Sequence, residues 1–142
     1  MKKFLFKFEK ILRLKKFREE ECKLELAQAI SILNVIENKI KQTALKRHQA
    51  ALNRFSDANN IASYELYILR LDREAINLTE QAAKAEIIVE EKRNLYMEAQ
   101  KDLKAMEKLK EKQQIEYRKE MMNYEMNEID NLTAVRYISG ND

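Results

Sequence analysis

Hydrophobic residues recur along this chain at alternating steps of three and four, the repeat of helices that bury one narrow seam along their length. The pattern is longest from Ile61 to Ile138, a stretch without proline or glycine. Its seam sites run Ile61, Tyr64, Ile68, Leu71, Ala75, Leu78, Ala82, Ala85, Val89, Lys92, Tyr96, Ala99, Leu103 and Met106, with Lys92 the one charged site. Beyond Met106 the same lattice falls on Lys110, Gln113, Tyr117, Glu120, Tyr124, Asn127, Asn131, Ala134 and Ile138, which are mostly polar. The helix is expected to continue while its seam changes character at Met106.

A first helix is predicted over residues 4–55. Its lattice is Leu5, Phe8 and Leu12, then the polar Lys15 and Glu19, then Cys22, Leu26, Ala29, Leu33, Ile36 and Ile40. After Ile40 the apolar residues move by one, to Ala44, His48, Ala51 and Phe55, which implies an inserted four-residue step, a stutter that locally unwinds a supercoil. Ser56-Asp57-Ala58-Asn59-Asn60 is the only cluster of turn and cap formers between the apolar runs, so the chain is expected to reverse at 56–60 and its Ser, Asp or Asn side chains to cap a second helix over 61–138. Short connections favour antiparallel neighbours. The expected fold is all-α, one 1–142 domain of two long helices in an antiparallel coiled-coil hairpin.

The two helices are unequal. At ~1.5 Å per residue they span ~78 Å and ~117 Å. If Phe4 lies near Ile138, facing residue numbers sum to about 142, and roughly twenty-five residues after the turn lack a partner or fold back in a bend near the tip. Tyr64, Tyr67, Ile68, Leu71 and Leu78 then lie on an unmatched apolar seam, a candidate partner surface. Gly140 falls just past the periodic pattern, where a helix C-cap belongs.

Composition narrows function mainly by exclusion. With 142 residues, one Gly, no Pro and 36% charged residues, the chain lacks the turn formers of compact α/β or all-β designs. The formal charge of +3 is too near balance to argue for nucleic acid. Its distribution is sharper: residues 1–18 hold eight Lys or Arg and one Glu, while 125–142 hold four acids and one base, so the two ends complement each other if they lie side by side. Between Lys101 and Glu120 seven bases and five acids read as a solvated face held by weak ion pairs. Charge interrupts the apolar residues of the N-terminus, which does not read as a signal peptide, and no run reaches the ~20 apolar residues of a membrane span.

Catalytic chemistry is weakly represented. Gly140 stands alone, so no glycine-rich phosphate loop can form. A single His48 and a single Cys22 exclude paired-ligand metal sites; Cys22, at a seam site, reads as a buried packing thiol. Tyr96, Tyr117 and Tyr124 recur at seam positions and read as coiled-coil core before base-stacking platforms. The chain is not expected to be an enzyme, and no cofactor or small-molecule ligand is implied.

Four stretches carry a family likeness. Phe6-Lys7-Phe8-Glu9-Lys10-Ile11-Leu12-Arg13-Leu14 resembles the F-x-F-x-K-L-L-x-L opening of the FliJ family, a component of the bacterial flagellar type III export apparatus. Leu103 to Lys112 followed by Tyr117 resembles its E-K-L-x-E-K segment, and Glu128 to Tyr137 its E-L-D-E-I-A ending, with Asn131 in place of a carboxylate. Tyr64 to Asp72 is similar to its Y-x-x-F-I-x-x-L-E stretch, with Tyr67 where Phe is usual. The resemblance implies a hairpin similar to the central stalk of rotary ATPases. Its partners would be the hexameric flagellar export ATPase, the membrane export gate protein and flagellar export chaperones. It implies roles in flagellum biogenesis, protein export, motility and chemotaxis, in the cytoplasm and peripherally at the cytoplasmic face of the inner membrane. On this likeness Phe6, Phe8, Leu12, Lys108, Glu111, Lys112, Tyr117 and Arg136 are expected to face the ATPase, and gate contact is expected near Tyr67 and Leu71, on the unmatched seam that also holds Tyr64, Ile68 and Leu78. Two readings compete with it: a self-associating structural coiled coil, and a peripheral protein that sets the basic N-terminal block against an anionic membrane.

Overall fold

A computed structural model of the protein describes residues 3–56 and 58–140. It consists of α1 (Glu9–Asn53), a 3-10 turn (Ala58–Asn60) and α2 (Ile61–Gly140), with no strand among the described residues. The two helices pack as an all-α hairpin. Neither contains an internal proline or glycine, and α2 runs as one helix from the turn onward.

α1 starts at Glu9 rather than Phe4. Residues 3–6 are not helical, and along them Leu5 and Lys7 point to solvent while Phe6 is buried and Phe4 and Phe8 are half-buried. Three aromatics spaced by two can share one face only on extended backbone, and that period of two overrides the helical one here. The Glu9 amide then bonds to the Phe6 carbonyl at 3.2 Å and the Leu12 amide to the Phe8 carbonyl at 2.9 Å, closing the entry to the helix. An acid in this first turn suits the helix dipole.

α1 ends at Asn53, two residues short of the expected Phe55. The Ser56 amide and Oγ both donate to the Asn53 carbonyl, at 3.1 and 2.8 Å, so Ser56 satisfies the end of α1. The expected cap at Asp57 lies outside the described residues. Gly140 is the last helical residue with no positive φ, so it does not act as a left-handed C-cap.

The chain divides into two compact units, residues 19–99 and residues 3–18 with 100–140. In the first, Glu25 pairs with Lys92 at 3.3 Å and Arg47 with Asp72 at 2.6 Å, so facing residue numbers sum to 117 and 119. The core is a seam of mostly small residues: Cys22, Ala29, Thr43 and Ala50 from α1, against Ile68, Leu71, Leu78, Ala82, Ala85, Val89 and Ala99 from α2. Cys22 is buried, as its seam position predicts.

The expected stutter does not occur. The buried and half-buried positions after Ile40 are Thr43, Ala50, Ala51 and Arg54, while Ala44, His48 and Phe55 are exposed. Thr43 takes an inward site because its hydroxyl donates back to the Lys39 carbonyl at 2.8 Å, leaving a methyl for the seam. The lattice continues through Thr43, Ala50 and Arg54, with Arg47 exposed at the site between Thr43 and Ala50.

In the second unit Lys15 pairs with Asp102 at 3.6 Å and Glu9 with Lys110 at 3.1 Å, sums of 117 and 119. Phe4 stacks obliquely on Tyr117 at 5.6 Å. Both units thus run in the same register, well below the sum of 142 that aligned termini require. The correction moves the unmatched stretch to the other end of α2. Residues just after the turn are paired, and it is 122–140 that lie beyond the start of α1, exposed at every position.

Candidate functional site

Of the five residues expected at the tip, the structure buries three. Ile68, Leu71 and Leu78 are 8%, 3% and 6% exposed, packed in the intrachain seam. The register explains this, since residues 64–78 face α1 and are not an open surface. Tyr64 is half-buried and Tyr67 is exposed, and with Asn60 and Ser63 they line a shallow groove of about 300 Å³ beside the turn. Leu66 and Leu69 are exposed as well, and with Arg70 and Arg73 they line a separate shallow groove, where a lattice of seam sites does not look for them.

In the second unit the eight expected residues separate into anchors and exposed groups. Phe6 and Leu12 are buried, and Phe8 and Tyr117 are half-buried. Phe6 stands edge-on to Phe8 at 5.9 Å, with the Lys110 ammonium 6.0 Å from the Phe6 ring. These side chains hold the N-terminal segment on α2. Lys108, Glu111, Lys112 and Arg136 are exposed. The first three share a shallow groove of about 390 Å³ with Ile115, Glu116 and Lys119, on a face turned away from the seam.

The change of character expected at Met106 is chemical and not a loss of packing. Lys110, Gln113 and Tyr117 remain half-buried at their lattice sites, against the aromatic N-terminal segment, and burial ends only past Met121. Tyr124, on the next turns of the lattice, is exposed. Its hydroxyl donates to the Glu128 carboxylate, and that hydrogen bond, with the carboxylate's charge, holds its pKa above the ordinary phenol value.

The basic N-terminal block and the acidic end do not meet within the chain. Residues 4–15 face Asp102, Lys110 and Tyr117, whereas Glu125, Glu128 and Asp130 lie on the unmatched length of α2. No cluster of His, Cys, Asp or Glu suited to a metal ion is found among the described residues, and His48 is exposed. No helix among them is long and apolar enough to cross a membrane.

Two long helices packed as a hairpin, the second continuing as a single exposed helix over 122–140, define an all-α coiled-coil protein. The sequence model described as the flagellar FliJ protein matches residues 3–142, essentially the whole chain, and the chain belongs to the FliJ family. It is therefore a component of the flagellar export apparatus, in a family that is non-catalytic. No curated protein and no solved structure matches it.

Proposed function

We propose that the chain is a non-enzymatic stalk of the hexameric flagellar export ATPase, which couples that hexamer to the membrane export gate and engages export chaperones at the cytoplasmic face of the inner membrane. The observation that carries this reading is the make-up of the terminal end. Phe4, Phe6 and Tyr117 fix the start of the chain on α2, and Lys108, Glu111 and Lys112 stand exposed on the same length of helix. A firm rod with a charged outer face is what a ring of subunits can grip.

The gate contact is assigned to the groove beside the turn, lined by half-buried Tyr64 and exposed Tyr67. Leu71 is left out because it is buried.

The test is ATP hydrolysis by the hexamer with and without this chain. Alone the chain hydrolyses nothing, and added to the hexamer it raises the rate. Lys108→Glu with Lys112→Glu removes the stimulation, while Tyr64→Ala with Tyr67→Ala leaves it intact and weakens gate binding in a pull-down. Stimulation by the charge-reversed chain equal to that of the native chain refutes the assignment of this face.

A further inference from the structure

Charge is divided unevenly between the two helices at the turn end. Residues 38–56 hold Lys39, Lys41, Lys46, Arg47 and Arg54 and no acid, whereas the facing length of α2, 61–80, holds Glu65, Asp72, Glu74 and Glu80 with Arg70 and Arg73. Arg47 is bonded to Asp72, and Lys39, Lys41 and Lys46 are exposed. The outer face of α1 also carries apolar residues here. Lys41, Leu45, His48 and Leu52 follow at steps of four, three and four, on the side of the helix opposite buried Thr43 and Ala50. Leu45 and Leu52 are 63% and 61% exposed. Phe55, just past the end of α1, is 78% exposed, with the Arg54 guanidinium 4.6 Å from its ring.

We propose that this outer face of α1, between Lys39 and Phe55, rests on an anionic lipid surface. Leu45, Leu52 and Phe55 enter the headgroup layer, and Lys39, Lys41 and Lys46 meet its phosphates. A protein partner typically buries an apolar centre from which charge is cleared. Here Lys41 and His48 sit within the apolar stripe itself. Lipid headgroups accept that mixture, because a lysine stem lies along apolar surface while its ammonium reaches a phosphate. None of these residues lines the groove assigned to the gate, and the inference does not depend on the stalk reading. The basic N-terminal block is the chain's other cationic surface, and the experiment separates the two.

Flotation of the full chain with protein-free vesicles tests it. The native chain is expected to float with mixed phosphatidylcholine and phosphatidylglycerol vesicles, less as salt rises, and to stay behind with phosphatidylcholine alone. Lys39→Glu, Lys41→Glu and Lys46→Glu together lower the partition by at least about tenfold. The chain has no tryptophan, so Phe55→Trp and, in a second variant, Leu5→Trp report on each end separately. Emission from the Phe55→Trp chain is expected to move to shorter wavelength on the mixed vesicles, and that from the Leu5→Trp chain to stay in place. Both sites are exposed, at 78% and 88%, so neither change disturbs packing, and circular dichroism confirms that the lysine reversals keep their helices. A shift in the Phe55→Trp chain upholds the inference. A native chain that does not float overturns it, as does equal flotation with phosphatidylcholine alone, or flotation with no shift in the Phe55→Trp chain. Such a failure leaves ATPase stimulation and gate binding to be decided by their own measurements.

Discussion

The two units use the same pair of helices in contrasting ways. In residues 19–99 the seam is built of alanines and a few larger aliphatics, with Thr43 and the half-buried Glu25–Lys92 pair as polar members. In residues 3–18 with 100–140 the facing sites include Lys15, Lys110 and Gln113, and the packing comes from Phe4, Phe6, Phe8 and Tyr117. One unit stores stability, and the other combines aromatic anchors with an end that has no partner in the chain. The difference teaches that in a two-stranded rod the place where the seam turns polar and the place where it stops are separate features. Here they are fifteen residues apart, Met106 against Met121.

Substitutions can break or sharpen that contrast. The largest effect belongs to a proline in the seam unit: Ala83→Pro removes a helix bond and clashes with the preceding turn, costing ~3 kcal/mol or more. Thermal unfolding followed by circular dichroism is expected to show the hairpin lost or its Tm sharply lowered. Glu128→Pro, beyond the paired region, is expected to reduce helicity while leaving that Tm in place. Leu71→Ala comes next. At 3% exposure it leaves a gap in a tight seam, at a cost of about 2–4 kcal/mol by urea titration, whereas Leu132→Ala stays within about 0.5 kcal/mol.

Asp102→Asn removes the partner of Lys15. Both side chains are substantially exposed, so the loss is at most about 1 kcal/mol, and 1 M salt erases most of it. The smallest effect is at Tyr124. Glu128→Gln removes the carboxylate that favours the protonated phenol, so the raised pKa returns to the ordinary range. The sign follows from that interaction: it is present while the phenol is protonated and lost as pH rises through the raised pKa. A tyrosinate absorbance titration of native and E128Q chains reads the shift, and its absence would show that Tyr124 and Glu128 do not bond in solution.

Most of the helix lattice was legible in the sequence. The sites read from Tyr64 to Tyr117 are the buried or half-buried face of α2, because a period near three and a half is a direct consequence of burying a helix along one line. Register was not legible. Alanine and other small seam residues accept several offsets, and aligning the termini is a convenience with no free energy behind it. What distinguishes the offsets is pairwise: Glu25 opposite Lys92 and Arg47 opposite Asp72. The tip residues Ile68, Leu71 and Leu78 were misassigned for this reason alone. The extended start was present as the Phe4, Phe6, Phe8 alternation, but it was read through a helical lattice. Thr43 and Arg54 were overlooked at seam sites because a hydroxyl or guanidinium counts as polar, although its carbon atoms can face inward.

The end of α2 that outlasts α1 has a kinetic meaning as well. Residues 122–140 continue a helix nucleated by the paired part of α2, but no tertiary face supports them, so their helicity rests on propagation alone. Any partner that closes on residues 122–140 must also hold them helical, and that ordering subtracts from the affinity of a given contact area. Complexes formed there are correspondingly short-lived. A contact of given area made on this end therefore releases faster than the same contact made on a helix already held in place.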